Sequence, residues 1–353
     1  MKAEILLSAC LLCAGSVLSG SFEDISGNAG VKHDLRKNFH INFTGGTNES
    51  KLLYKRQLME PATSPVSVPL KWYFSGIAPR EYIVELATDK SFADAKKIVT
   101  DVNTVSVDNL LLSTVYYWRV SGMVNGKKVV SDVYTFQTAD TPPRWIRVPG
   151  AGNFRDIGNW SVPGGRIKQG MIYRGCEMEF HHTITEDGKR VLLDDLKIKT
   201  DLDLRIEAVN AEMKTSALGE AVDFTLLPCT AYESFLKDKE TAAKLFLLFT
   251  EEKRYPFYAH CWGGADRTGT LILLLMAILG VREDDLFSDY EFTSLSFWGK
   301  RSVRSNQFQT FLAELNTYGN AEDTINQRCE AFWRSCGITP AQLDTFRQIM
   351  TEP

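Results

Sequence analysis

The stretch HCWGGADRTG, residues 260–269, carries most of the information about the fold and chemistry of this chain. The apolar run before it, residues 255–259, predicts a short buried strand, and the run 271–279 predicts a buried helix. The order is therefore strand, glycine-bearing loop and helix N-terminus. The free backbone N–H groups of such a loop and the dipole of the helix that follows favour a bound anion.

Side chains in this stretch have the chemistry of phosphoryl transfer. Cys261 lies where the positive field of the loop stabilises the thiolate, the reactive form of cysteine. Arg267, at the start of the helix, can hold two phosphate oxygens with its planar guanidinium. We expect Thr268 to donate its hydroxyl to the sulfur and His260 to orient the loop. The implied reaction is attack of Cys261 on phosphorus and hydrolysis of the resulting phosphocysteine, with a general acid for the leaving oxygen.

The loop resembles the active-site loop of cysteine-dependent phosphatases, the tyrosine and dual-specificity group. The form His-Cys-x-x-Gly-x-Asp-Arg-Thr-Gly is similar to a bacterial branch that also includes enzymes acting on phosphoinositides. Three further segments resemble motifs of that branch, in the same order: GNFRDIGN at 152–159, GMIYRG at 170–175 and KTDLDLR at 199–205. The resemblance covers roughly residues 143–350.

The resemblance implies roles for particular residues. Cys261 is the expected nucleophile and Arg267 the expected phosphate clamp. Asp266 is the first candidate for the general acid, and Asp203 and Asp156 are the alternatives, because larger tyrosine phosphatases bring the acid from a separate loop. No metal and no cofactor is expected. The further residues expected at the substrate site are Asn153, Arg155, Asp156, Asp203, Trp262, Gly263, Gly264, Ala265 and Gly269.

Two loop positions bear on the substrate. Many relatives carry a lysine before the loop aspartate, and Ala265 in its place weakens a phosphoinositide assignment. Trp262 either stacks on an aryl substrate or packs as a rim residue. We therefore predict a protein-tyrosine phosphatase whose partner is a phosphorylated protein or a small phosphomonoester. The alternatives are a phosphoinositide or inositol-phosphate phosphatase, and a non-catalytic phospho-ligand-binding or envelope adhesion protein. A rhodanese-like sulfur transferase is disfavoured because its loop is commonly one residue shorter.

Residues 1–20 predict a secretory signal peptide, because a short apolar core is followed by small residues. We therefore expect a secreted or periplasmic protein. The residues Leu7-Ser8-Ala9-Cys10 also fit a lipoprotein signal, so a lipid anchor at Cys10 in the cell envelope is the alternative. Contact with a membrane is expected only in that case. Residues 21–65 are polar and receive no assignment.

Residues 66–139 predict a separate all-β module. Runs rich in β-forming residues, such as 82–87 and 114–120, alternate with turn signals. The module resembles a bacterial fibronectin type III domain, notably in LATD at 86–89 and TVYYWRV at 114–120. We expect a spacer, with a glycan or protein ligand as the alternative. The predicted fold class is multidomain: an all-β fibronectin type III-like sandwich, followed by an α/β cysteine-phosphatase domain at 140–353.

The composition excludes some functions. The chain has 353 residues and a net charge of -4, so it shows no basic excess for binding nucleic acid. Removal of residues 1–20 leaves an odd number of cysteines, so at least one thiol has no partner within the chain. We expect Cys261 to be that free thiol. The cysteines concerned are Cys176, Cys229, Cys261, Cys329 and Cys336.

Overall fold

The computed structural model describes residues 20–45, 63–210 and 212–353. The predicted signal peptide, with Cys10, lies outside these residues apart from its last position. The described residues separate into two compact units. The first contains residues 20–31, 69–106 and 115–137, so it includes part of the N-terminal segment that received no assignment from sequence. The second contains the other described residues, among them 107–114 and everything from 138 onwards except 211.

The strands are short, and many are rich in valine, isoleucine and aromatic residues, which favour extended backbone. In chain order they are β1 (Phe22–Asp24), β2 (Lys32–His33), β3 (Val68–Phe74), β4 (Tyr82–Ala87), β5 (Lys96–Thr100), β6 (Thr104–Val107), β7 (Val115–Val124), β8 (Lys127–Val130), β9 (Tyr134–Thr138), β10 (Arg144–Trp145), β11 (Arg155–Asp156), β12 (Ser161–Val162), β13 (Gly165–Ile167), β14 (Ile172–Gly175), β15 (Thr200–Asp203), β16 (Asp223–Leu226), β17 (Phe257–His260) and β18 (Thr351–Glu352).

Most helices belong to the second unit, and several begin with a capping side chain. Thr324 and Thr339 each form a capping box with a glutamine three residues later. The helices are α1 (Asn38–Gly45), α2 (Glu186–Arg190, continued as a π-helix over Val191–Asp195), α3 (Ile206–Asn210), α4 (Tyr232–Lys237), α5 (Lys239–Leu248), α6 (Arg267–Leu279), α7 (Glu283–Phe292), α8 (Asn306–Leu315), α9 (Ile325–Ser335) and α10 (Pro340–Met350).

The first unit consists of two β-sheets. One has the order β1-β3-β6 and the other contains the order β9-β7-β4-β5, with β8 paired to β7. Alternate residues of β3 are buried, which is the pattern of a strand with one face on the core. The ring of Trp72 in β3 meets the ring of Tyr82 in β4 at 5.3 Å, so side chains of the two sheets meet in an aromatic core. The likeness to a fibronectin type III domain remains a prediction.

The second unit is built on a sheet of order β10-β11-β14-β17-β15-β16, in which the last four strands are parallel. In its register His260 lies beside Gly175 on one side and beside Asp203 on the other. Because the carboxyl ends of parallel strands meet at one edge, the residues that follow β14, β15 and β17 gather there. This edge carries the stretch at 260–269.

Helix α6 runs through the core beside this edge. It begins at Arg267, earlier than the apolar run 271–279 indicates, because the first turn is formed by the polar end of the loop. Every residue from Thr268 to Leu279 is buried, and the helix ends at Gly280 with φ +97°. Among the described residues, no helix is long and apolar enough to cross a bilayer.

Candidate active site

Cys261 follows β17 directly and is 3% exposed, with Arg267 at the first position of α6. Cys261 carries a free thiol, as do Cys229, Cys329 and Cys336. Within the described ranges, no protein atom accepts a hydrogen bond from the backbone N–H groups of residues 262–268. The loop therefore offers a row of unused donors at a helix N-terminus, which is the arrangement that binds a phosphate.

Gly264 is required by the shape of this loop. Its φ is +61°, and a Cβ there would lie 2.1 Å from the carbonyl oxygen of Gly175. Its own carbonyl accepts a hydrogen bond from Nη2 of Arg174 at 2.6 Å. The carbonyl of Gly263 accepts one from Nδ2 of Asn153 at 2.9 Å. These bonds occupy two loop carbonyls and leave the loop N–H groups to a ligand.

Asn153, Arg155, Arg174 and Asp289 form a buried network beneath the loop, which we call the floor. Nε of Arg155 lies 2.7 Å and Nη1 of Arg174 lies 2.5 Å from the two carboxylate oxygens of Asp289. Burial and the charge of Arg155 lower the pKa of Arg174 to about 10. Burial opposes ionisation of Asp289, but the two arginines outweigh it and hold its pKa below the ordinary value. Two guanidinium groups on one carboxylate leave net positive charge beneath the loop that carries Cys261.

His260 adds a further positive charge below the nucleophile. Its Nε2 lies 2.9 Å from Oδ1 of Asp201, an ion-pair distance, although the N–H is not aligned for a hydrogen bond. Burial alone would lower the pKa of His260, but the charges of Asp203 and Asp201 outweigh it and raise the pKa to about 9. Thr268 is buried, and its hydroxyl has no hydrogen-bond partner among the described residues. Its predicted donation to the sulfur stays a prediction.

Arg267, the predicted phosphate-binding residue, forms an ion pair with a carboxylate in this structure. Nη1 of Arg267 donates to Oε2 of Glu207, in α3, at 2.7 Å. Burial opposes ionisation of Glu207, but Arg267 outweighs it and holds the pKa of Glu207 below its ordinary value. A phosphate in the loop would therefore share Arg267 with Glu207, and this carboxylate would fix the direction of the guanidinium fork.

Asp266 lies at the loop as expected, and it is bound by an arginine from a distant part of the chain. Nε and Nη2 of Arg301 lie 2.7 and 2.9 Å from its two carboxylate oxygens, and the hydroxyl of Tyr232 also donates to it. Burial opposes ionisation of Asp266, but Arg301 outweighs it and holds the pKa below the ordinary value. A general acid must carry a proton before the reaction, so this ion pair opposes the acid role predicted for Asp266.

The two alternative acids lie in fully buried ion pairs. Asp203 accepts hydrogen bonds from Nε and Nη2 of Arg205 at 2.9 and 2.7 Å. Asp156 lies 2.8 Å from Nη1 of Arg144 and accepts backbone N–H bonds from Gly158 and Gly170. Burial raises the pKa of Asp156, but its side chain is 0% exposed.

Aromatic side chains linked by ring contacts through His181 and Trp298 lie beside the loop at Trp262. We call Phe180, His181, Trp262, Phe297 and Trp298 the aromatic rim. The ring of His181 lies 4.5 Å from that of Trp262 and 5.5 Å from that of Trp298. Phe180 and Phe297 are about half exposed. The indole N–H groups of Trp262 and Trp298 are buried and donate to no acceptor in the described chain.

Comparison with known proteins decides the family. A sequence profile described as the tyrosine phosphatase family matches residues 146–352, more than half of the chain. The chain belongs to this family. It is a cysteine-dependent phosphatase, and the matched region contains the loop and all three companion motifs. Among solved structures, the core catalytic domain of the PP-IP phosphatase SIW14 from S. cerevisiae in complex with citrate is similar, with a TM-score of 0.30 and 16% identity over 41% of this chain and 83% of that chain. No curated protein matches the sequence significantly.

Several residues at this phosphatase site were not singled out by the sequence. Arg174 lies in a quoted motif but received no role, and neither Asp289 nor Glu207 was assigned one. The sequence did hold one signal: His181 is one of only five histidines and lies six residues after the 170–175 motif. Ala265 and Gly269 are buried parts of the loop and first helical turn, as expected from their place in the motif.

Proposed function

We propose that this phosphatase hydrolyses phosphotyrosine in proteins. The observation that carries the proposal is the aromatic rim. Trp262 directly follows the nucleophile, and Trp298 packs so closely on Gly263 that a Cβ there would lie 2.6 Å from the indole. Rings on this side of the loop suit an aryl leaving group, since offset and edge contacts between aromatic groups are favourable.

Charge also favours an aryl monoester over a polyphosphorylated headgroup. Arg267 is shared with Glu207, Arg301 is bound to Asp266, and Ala265 supplies no cation. A headgroup with several phosphates would need further cations beside the loop. Lys300 and Arg304, which follow the rim in sequence, support the alternative of an inositol phosphate or phosphoinositide substrate.

The proposed mechanism uses the loop in two displacement steps. The Cys261 thiolate attacks phosphorus while the N–H groups of residues 262–268 and Arg267 hold the non-bridging oxygens. The P–O bond to the leaving group breaks, and that oxygen takes a proton from a general acid. Water then attacks the phosphocysteine, loses a proton to the same group and releases phosphate. Charge stabilisation comes from donors that are already in place before substrate binds.

The test is a substrate panel in the presence of reductant and chelator. The protein is assayed on a phosphotyrosyl peptide, the matched phosphoseryl peptide and an inositol polyphosphate, beside Cys261→Ser. We expect preference for the phosphotyrosyl peptide and loss of turnover, with an unchanged melting temperature, in the variant. Preference for the inositol polyphosphate would favour the alternative substrate. Cysteine-independent turnover, or none at all with tight binding of phosphorylated ligands, would contradict the proposed function.

A second proposal concerns the cellular location of the protein and the role of its first unit. We propose that residues 1–20 direct secretion and that the first unit is a fibronectin type III-like spacer for the catalytic unit. A mature protein starting near Gly20 without lipid would support release as a soluble protein. A lipid on Cys10 would instead indicate an envelope anchor, and an intact N-terminus in the cytoplasm would contradict secretion.

A further inference from the structure

The catalytic unit contains a segment that precedes most of the first unit in the chain. Residues 32–68 belong to the second unit, and their described parts are residues 32–45, which include α1, and residues 63–68. We call these two stretches the N-terminal arm. The region that matches the tyrosine phosphatase family begins only at residue 146. The family motifs therefore assign no role to the arm.

Helix α1 of the arm packs on residues that support the floor. His40 and Phe43 are both buried. The imidazole of His40 stacks on the ring of Trp145, with the ring centroids 5.1 Å apart and the planes at 26°. The guanidinium of Arg155, a floor residue, lies 5.3 Å from the centre of the same indole. Phe43 contacts Phe292 of α7, the helix that also carries the floor aspartate. The arm thus touches both elements on which the floor is built.

Thr63 gives the arm a direct hydrogen bond to the floor. It is 3% exposed, and its Oγ1 accepts the backbone N–H of Asn153 at 3.3 Å, across 90 residues of sequence. A backbone bond from the N–H of Val66 to the carbonyl oxygen of Leu35, at 2.8 Å, joins the two stretches of the arm. The fold of the arm therefore holds the hydroxyl against the Asn153 backbone.

Asn153 has a backbone conformation that needs such support. Its φ is +55°, in the left-handed region that asparagine tolerates better than most residues but still at a cost. In this conformation its Nδ2 donates to the carbonyl oxygen of Gly263 at 2.9 Å, and its Oδ1 accepts from Nη1 of Arg155 at 2.7 Å. Because Asn153 is fully buried, bulk water cannot replace the Thr63 hydroxyl at its N–H. Relaxation of this φ would withdraw the amide from the loop.

We propose that the N-terminal arm is a working part of the catalytic unit and that Thr63 is a positioning residue for the nucleophile loop. Its hydroxyl fixes the Asn153 backbone, and the Asn153 amide holds the Gly263 carbonyl. The C=O and N–H of a trans peptide point in opposite directions, so this bond turns the N–H of Gly264 away from the floor and toward a bound phosphate. The inference rests on the cysteine mechanism of the proposed function and holds for either substrate class.

Point variants of the full-length protein test the role of the hydroxyl. Thr63→Val removes the acceptor with little change of side-chain shape, and Thr63→Ser keeps it. Each is assayed on p-nitrophenyl phosphate, and for inhibition by orthovanadate, an anion that resembles the transition state, well below its melting temperature. We expect kcat and the affinity for vanadate to fall about tenfold in Thr63→Val, with KM changed less than about threefold. Thr63→Ser should stay within about threefold of wild type.

Thr200→Val is the matched control. Thr200 is also fully buried, and its hydroxyl also bonds a backbone group, donating to the carbonyl oxygen of Arg254 at 2.8 Å. It begins β15, so it lies at the edge of the sheet opposite the loop. We expect its melting temperature to fall as much as that of Thr63→Val, while kcat and the affinity for vanadate stay within about threefold of wild type.

Several outcomes would overturn the proposal. Unchanged kcat and vanadate affinity in Thr63→Val would show that the hydroxyl does not position the loop. An equal loss of kcat in Thr63→Ser or in Thr200→Val would attribute the effect to packing or to general destabilisation. If Thr63→Val does not fold, Thr63→Cys replaces it, because a thiol is a weak acceptor; kcat equal to that of Thr63→Ser would then contradict the proposal.

Failure of the proposed function is seen separately. Turnover of p-nitrophenyl phosphate that survives Cys261→Ser, or that is missing in wild type, removes the cysteine mechanism and this inference with it. An active wild type that requires Cys261 but is indifferent to Thr63→Val removes the inference alone.

Discussion

The floor beneath the nucleophile loop and the aromatic rim differ in burial and in how their side chains are held. Arg155 and Arg174 in the floor are 0% exposed and are bound through charge-assisted hydrogen bonds to Asp289, and Arg174 also donates to the carbonyl of Gly264. In the rim, Phe297 is 47% exposed, and two indole N–H groups donate to no acceptor in the described residues. The floor pairs its charges with one another, whereas the rim leaves ring surface exposed for a ligand to contact.

This difference separates stability from substrate contact. A buried ion pair that loses one partner leaves an uncompensated charge, which costs far more than the loss of an exposed ring. Damage to the floor should therefore affect folding and catalysis together. Damage to the rim should affect substrate binding with little effect on the free energy of unfolding.

The largest effect is expected for Asp289→Ala. Removal of this carboxylate leaves Arg155 and Arg174 buried without their shared partner, and we expect a loss of about 3–5 kcal/mol in the free energy of unfolding. Urea unfolding followed by fluorescence measures it. Asp284→Ala, an exposed aspartate on the same helix α7, is the control and should change stability by less than about 1 kcal/mol. Equal effects of the two substitutions would remove the distinction between floor and surface.

Gly264→Ala should break the loop that the floor supports. The new methyl group would collide with the Gly175 carbonyl, so the loop must move, and we expect kcat/KM on an aryl phosphate to fall by at least about 10²-fold. Gly337→Ala controls for the backbone conformation, because Gly337 has φ +91° with open space around it. An active Gly264→Ala enzyme would show that the close approach is dispensable.

The raised pKa of His260, beneath the loop, predicts that the free energy of unfolding depends on pH. Its pKa is about 9 in the folded protein and near 6.5 when exposed, so its contribution is full below pH 6.5 and is lost as the pH rises through 9. We expect wild type to lose on the order of 2–4 kcal/mol of unfolding free energy relative to His260→Gln between pH 6.5 and 9.5. Parallel curves for the two proteins would mean that His260 is neutral when folded.

Trp262→Ala should have the smallest effect. It tests whether the rim contacts an aryl substrate. Loss of ring contact is expected to raise KM for an aryl phosphate about tenfold while kcat changes less than about threefold. The unfolding free energy should stay within about 1 kcal/mol of wild type. Measuring glycerol phosphate beside the aryl substrate provides the control, since an alkyl group makes no ring contact. A similar rise of KM for both substrates would contradict aryl recognition.

The sequence predicted the parts of the site that are encoded locally. Apolar runs on both sides of residues 260–269 predicted the strand and the helix, and the glycines predicted the loop between them. The residues that support the loop from distant parts of the chain could not be predicted from local patterns. Asp289 lies 134 residues from Arg155 and 115 from Arg174, and Arg301 lies 35 from Asp266. Such pairs are set by sheet order and helix packing, which no spacing in the sequence reveals.

For the same reason, the sequence alone could not identify the general acid or the extent of the first unit. Composition and motif placed three aspartates near the site, but only their contacts show that each is bound by an arginine. Strand β1 has three residues, too few for a period-two pattern, so no sequence pattern joins residues 20–31 to the first unit. Short elements and long-range ion pairs are thus the features that required the three-dimensional structure.

Trapping the enzyme during turnover tests directly whether Cys261 forms a covalent phosphoenzyme. The protein is mixed with an aryl phosphate, quenched in acid within milliseconds and digested for mass spectrometry. We expect one phosphoryl group on the peptide that contains Cys261, and none on that peptide in Cys261→Ser. Phosphate on a histidine or an aspartate, or turnover without any phosphorylated peptide, would contradict it.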